Sequence, residues 1–68
     1  MKQRVALFDE NDKFVLVSDS EKFAFDYLNN VLGTGSALWA NGYTDNQLKT
    51  LPLTELLKMA KPRTRSVK

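Results

Sequence analysis

Two short apolar runs open the chain, Val5-Ala6-Leu7-Phe8 and Phe14-Val15-Leu16-Val17. Between them lies Asp9-Glu10-Asn11-Asp12-Lys13, a cluster of turn formers. Two β-compatible runs joined by five polar residues predict a β-hairpin. Neither run alternates apolar with polar. Each strand is apolar on both sides, so either something covers each face or the hairpin sits inside a dimer.

Ser18-Asp19-Ser20 then offers helix N-caps, with Glu21 in the first turn, where the helix dipole favours an anion. Ala24, Tyr27, Leu28, Val31 and Leu32 follow at helical spacing. Gly33 suits the residue after a helix, because it takes positive φ without a Cβ penalty. The pattern predicts a helix from about Ser20 to Leu32, packed on one side of the hairpin. Gly33-Thr34-Gly35-Ser36 is a break. Ala37-Leu38-Trp39-Ala40 is too short to assign by period and is either a third strand or one helical turn.

Thr44-Asp45-Asn46-Gln47 fits a capping box, with Gln47 reaching back to the start of a short helix. That helix runs from Asp45 to about Leu51. Pro52 disfavours helical angles at Leu51, so a break falls there, and Pro52 opens the next helix. Leu53, Leu56, Leu57 and Ala60 form one apolar stripe. Pro62 ends it. The expected architecture is α+β. An N-terminal hairpin, with or without a third strand, is packed by one helix and followed by a C-terminal helical pair. Residues 1–61 make one small domain and 62–68 a flexible basic tail. The core candidates are Val5, Leu7, Leu16, Val17, Leu28, Val31, Leu48, Leu53, Leu56 and Leu57, with Trp39 beside them.

Charge adds a polarity that the apolar pattern does not reveal. The last eleven residues hold five cations (Lys58, Lys61, Arg63, Arg65, Lys68) and no acid. The first fifty-seven hold five cations and eight acids. A like-charged end meets an anion or simply keeps a small protein soluble. Arg63 and Arg65 matter most to the first case, because a guanidinium makes a bidentate fork to phosphate and stays charged. Thr64 and Ser66 add hydroxyl donors. If all five cations neutralised one phosphate each, the log–log salt slope would be roughly −3.5 to −4.5.

Composition removes several kinds of chemistry. There is no cysteine and no histidine among the 68 residues. The commonest general base, the commonest metal ligand and the thiolate nucleophile are therefore missing. No lysine is marked as a base for a serine nucleophile. A chain of this length leaves little room for a concave site. The expectation is a non-enzyme with no cofactor, no metal and no small-molecule substrate. Asp9-Glu10-Asn11-Asp12 fails the EF-hand pattern, with Lys13 at a ligand position and Phe14 at the glycine position, and reads as a solvated turn. Gly33-Thr34-Gly35-Ser36 closes a helix rather than opening one and lacks the following lysine of a phosphate loop. No apolar run approaches the ~18 residues that cross a bilayer, and the apolar stretch after Met1-Lys2-Gln3-Arg4 is too short for a secretory signal. The expected compartment is the cytoplasm, with no membrane partner.

Aromatic residues supply the other candidate surface. Trp39 and Tyr43 flank Asn41-Gly42, where loop aromatics either anchor an interface, stack bases or plug a small core. Phe23 and Phe25 widen the apolar face of the first helix beyond what one core covers. Phe23, Phe25, Trp39 and Tyr43 are thus the candidate protein-interface residues. Lys58, Lys61, Arg63, Arg65 and Lys68 are the candidate nucleic-acid contacts.

The segment from Asn46 to Ala60 (Asn46-Gln47-Leu48-Lys49-Thr50-Leu51-Pro52-Leu53-Thr54-Glu55-Leu56-Leu57-Lys58-Met59-Ala60) resembles the opening of small helix-extended-helix nucleic-acid modules such as SAP and Rho N-terminal domains. The shared pattern is leucines, then a polar cap, then Glu-Leu. It covers under a quarter of the chain, and a basic segment stands where those modules have a second helix. Two functional expectations follow. The first is a non-enzymatic protein-binding module, an inhibitor, adaptor or self-assembling subunit of the phage or mobile-element accessory type, with a protein partner or a second copy. The alternative is a nucleic-acid-associated protein that contacts the phosphates of DNA or RNA through its basic end.

Overall fold

The computed structural model describes residues 3–59 and 63–67. Four strands form one antiparallel sheet in the order β2-β1-β3-β4. The strands are β1 (Val5–Phe8), β2 (Phe14–Ser18), β3 (Gly35–Trp39) and β4 (Thr64–Val67). The helices are α1 (Glu21–Tyr27), α2 (Asp45–Thr50) and α3 (Leu53–Met59). A π-helical turn, Leu28–Leu32, continues α1. This is the expected α+β domain, and residues 37–39 belong to a third strand.

The hairpin is two-sided because helices cover both faces. Val5 and Leu7 pack with Ala24, Leu28 and Ala37 on the α1 side. Ala6 and Phe8 pack with Leu38, Tyr43, Leu48, Leu53 and Leu56 on the α2–α3 side. All four β1 residues are fully buried, as a central strand between two layers requires. Each buried Leu or Phe side chain contributes about 1.5–3 kcal/mol. A bulge in β2 pairs Leu7 with Leu16 and Phe8 with Phe14, leaving Val15 extra. Val15 and Leu16 therefore both lean on the α1 side. Phe14 turns to the other face, edge-on to Phe8 at 6.0 Å.

Local signals account for the helix ends. The Ser20 hydroxyl accepts from the Phe23 N–H at 3.2 Å. Thr44 and Gln47 form the reciprocal capping box. Leu51 is extended, as a residue before proline should be. The Pro52 carbonyl accepts from Glu55 and Leu56, so the proline caps α3 one position before its first helical residue. Gly33 closes the π turn at φ 74°, with its N–H bonded to the Leu28 carbonyl at 2.8 Å.

Three expectations need correction. Residues 62–68 were expected as a flexible tail, yet Thr64–Val67 forms the edge strand β4 on β3. Only Val67 of that strand is partly buried. Backbone pairing rather than apolar burial holds it, so no apolar period marks it. Pro62 and Lys68 lie outside the described residues. Val31 is 63% exposed rather than in the core. The wider π turn keeps Leu28 and Leu32 on the sheet and swings Val31 away from it. Leu57 is 41% exposed, because Leu53 and Leu56 alone define the inward line of α3. Leu16, Val17 and Trp39 are partly buried and pack against the core.

Candidate functional site

The site is built where β3 meets β4. Register pairing places Val5, Trp39, Leu7, Ala37 and Arg65 on the sheet face that α1 covers. Arg63 lies two residues before Arg65 and shares that face. The Trp39 N–H donates to the Arg63 carbonyl at 2.9 Å, which extends the β3–β4 ladder by one pair. α1 brings Phe25 to the same place, 5.5 Å from Trp39 between ring centres. One turn earlier, the Glu21 carboxylate accepts the Trp39 indole N–H at 3.1 Å. The indole is thereby fixed at its polar edge and packed along its apolar body.

Both arginines stand over these rings. The Arg63 guanidinium carbon is 4.4 Å from the Trp39 ring centre, and that of Arg65 is 5.1 Å from the Phe25 ring centre. Each contact is worth about 0.5–1 kcal/mol at an exposed site. Its larger effect is on side-chain freedom, since a stacked guanidinium loses little further entropy when it forms its fork of hydrogen bonds. Among the described residues neither arginine has a carboxylate within salt-bridge distance. Both side chains are exposed. The arrangement offers two held, unneutralised cations to an external anion.

The backbone adds donors. In an antiparallel pair, alternate residues point their N–H and C=O to the partner strand. Arg63 bonds inward to Trp39, so Arg65 and Val67 also point inward and the amides of Thr64 and Ser66 point out from the sheet edge. The hydroxyls of Ser36 and Ser66 lie 3.4 Å apart on the opposite face.

No family of known proteins matches this chain, and no curated protein or solved structure is significantly similar to it.

The structure sorts the sequence-derived candidates differently from the sequence. Phe25 and Trp39, taken from the interface set, join Arg63 and Arg65, taken from the nucleic-acid set. Tyr43 is buried, and its hydroxyl donates to the Leu56 carbonyl at 3.0 Å. It is a core residue rather than an interface residue, because Arg4 and the α2 cap draw its loop onto the sheet. The Arg4 guanidinium contacts the Asp45 carboxylate and the Tyr43 carbonyl. Phe23 is 53% exposed and leans on Tyr27 at 6.1 Å. Lys58 sits on α3, 3.7 Å from Glu55, in the layer on the other side of the sheet from the arginines. Lys61 and Lys68 lie outside the described residues. Glu21 was legible only as a helix-start acid. Its bond to Trp39 spans eighteen positions and leaves no spacing signal.

Other depressions are separate from this cluster. One, of about 240 Å³, is lined by Asp9, Glu10 and Asp12 of the hairpin loop with Ser66 and Val67 at the far end of β4. The Asp9 carboxylate accepts from the amides of Asn11 and Lys13, so it serves the turn. The described residues contain no group of three side chains able to hold a metal ion. No helix among them is long and apolar enough to cross a membrane.

Proposed function

We propose that the protein is a non-enzymatic, nucleic-acid-associated module that holds a phosphodiester backbone on the β4 edge. The observation that carries this reading is the pair of stacked, unpaired guanidiniums of Arg63 and Arg65 over Trp39 and Phe25. Fixed arginine forks suit phosphate oxygens, and outward amides of an edge strand add neutral donors. Such contacts carry no sequence code, so binding is backbone-directed and salt-sensitive. Lys58 lies across the sheet, so fewer than five cations act together and the slope is shallower than the full basic end would give.

The test is fluorescence anisotropy with labelled single-stranded DNA, duplex DNA and RNA at low and near-physiological salt. The full chain should bind, and Arg63→Gln with Arg65→Gln should abolish most of that binding while thermal unfolding stays near wild type. Unchanged affinity in the double variant would overturn the reading.

A second reading, a protein-binding module, draws on a different observation. Phe23 and Val31 of α1 and its π turn are more than half exposed, and Phe23 leans on Tyr27, which itself packs against the core. The hairpin no longer motivates it, since the chain's own helices cover both faces. Size-exclusion chromatography with light scattering on wild type and Phe23→Ser tests self-association through that surface. A monomer in both cases would remove the second-copy form of this reading.

A further inference from the structure

We infer that the β4 edge takes a single strand of nucleic acid, with Arg63 and Arg65 each engaging one of two successive phosphates. This rests on the phosphate-binding reading above and narrows it to a ligand class.

Strand geometry fits two neighbouring phosphates of one backbone. Residues i and i+2 of a β-strand lie about 6.6 Å apart. Successive phosphates along one strand, unpaired or within a duplex, have a comparable separation, so an i, i+2 pair matches two neighbouring phosphates of one strand. The choice of an unpaired strand rests on the aromatic rings beneath the arginines and on the lack of a basic groove-reading helix among the described residues. Arg63 and Arg65 are such an i, i+2 pair on one face. Between them the outward Thr64 amide falls at the midpoint, where it can donate to the same backbone. Among the described residues no helix is a basic groove reader: α1 with its π turn carries Lys22 against Glu21 and Asp26. α2 and α3 are six and seven residues long, and their apolar sides are buried in the sheet.

The site is also bounded. Beyond Arg65 the strand runs to Ser66 and Val67, which share a depression with Asp9, Glu10 and Asp12. Those acids repel a backbone that continues along β4. A polyanion on the two described guanidiniums must therefore leave the sheet before the hairpin loop. The partly buried rings of Trp39 and Phe25 lie beneath the guanidiniums. They leave ring edges for a neighbouring base to stack against, which an unpaired strand permits and a duplex does not.

The experiment uses the full chain and needs no variant. Labelled oligothymidylate, oligouridylate, a mixed-sequence duplex and an oligothymidylate with neutral methylphosphonates at every second linkage are titrated by anisotropy at several salt concentrations. The inference expects single strands to bind at least tenfold more tightly than the duplex. It expects a log–log salt slope of about −1.4, the single-strand value for two neutralised phosphates. It expects the alternating probe to lose about tenfold, because no two adjacent phosphates are charged. The oligouridylate arm separates RNA from DNA as the source. Equal or tighter binding of the duplex, or indifference to the alternating linkages, overturns the single-strand inference and leaves the phosphate reading standing. Binding to none of the probes at low salt overturns both.

Discussion

The Tyr43 hydroxyl donates to the Leu56 carbonyl at 3.0 Å inside the core. Leu56 is among the last four residues of α3, whose carbonyls find no partner within the helix. A side chain from the loop before α2 thus satisfies the end of α3. Tyr43→Phe removes the donor and keeps the ring. It should cost about 1–2 kcal/mol, the penalty for a buried carbonyl left unpaired. Urea unfolding followed by circular dichroism measures it, and binding at β4 should be unchanged in the same variant. No loss of stability would mean that water already serves this carbonyl.

Gly35 starts β3 at φ 131°, and a Cβ there would run into the Phe8 carbonyl oxygen. Glycine is needed both for the angle and for the close approach of β3 to β1. Gly35→Ala should destabilise by on the order of 2–4 kcal/mol, from backbone strain plus displacement of β1. In a domain of this size that is a large share of the total. A melting curve within a few degrees of wild type would contradict the strained geometry. Gly33 and Gly42 have open space around them, so their cost is limited to the angle.

The hairpin, the start of α1, the capping box and the break at Pro52 were legible in the sequence because each is encoded within a few residues. The two-sided apolar hairpin left open whether other elements or a second copy covered it, and the chain's own helices do so on both faces. What was not legible depends on partners far along the chain. β4 pairs with β3 across about thirty positions and buries only part of Val67, so no periodic apolar signal could mark it. Arg63 and Arg65 looked like part of a charge run, and their stacking on Trp39 and Phe25 needs the sheet to exist first. Tyr43 beside Asn41-Gly42 resembled a loop aromatic, and its partner on α3 lies thirteen positions away.

The π turn separates Leu28 from Val31, although both fit the helical stripe. Leu28 is fully buried and Val31 is 63% exposed. Leu28→Ala should therefore cost about 2–5 kcal/mol, as a buried leucine does when it leaves a cavity. Val31→Ala should stay within about 0.5 kcal/mol, as an exposed substitution does. Paired denaturant melts give the comparison. Equal costs would mean that the last turn is α-helical in solution and that Val31 faces the sheet.

Trp39 is the single tryptophan of the chain, so its fluorescence reports on the β4 site directly. The Arg63 guanidinium stands over its ring and Glu21 accepts its N–H. An anion that engages Arg63 changes the field on the indole, so single-stranded DNA should shift or quench its emission along the same curve that anisotropy gives. Arg63→Lys separates charge from stacking. The variant keeps the positive charge but loses the planar fork and its hold on the ring. Ordering a side chain that the stack no longer holds costs about 0.5–1.5 kcal/mol, so binding should weaken by about two- to tenfold. Arg63→Gln should weaken it further and flatten the salt slope by about 0.7, one phosphate contact on a single strand. Should Arg63→Lys bind as tightly as wild type, charge alone would carry the contact and the aromatic support would be only structural.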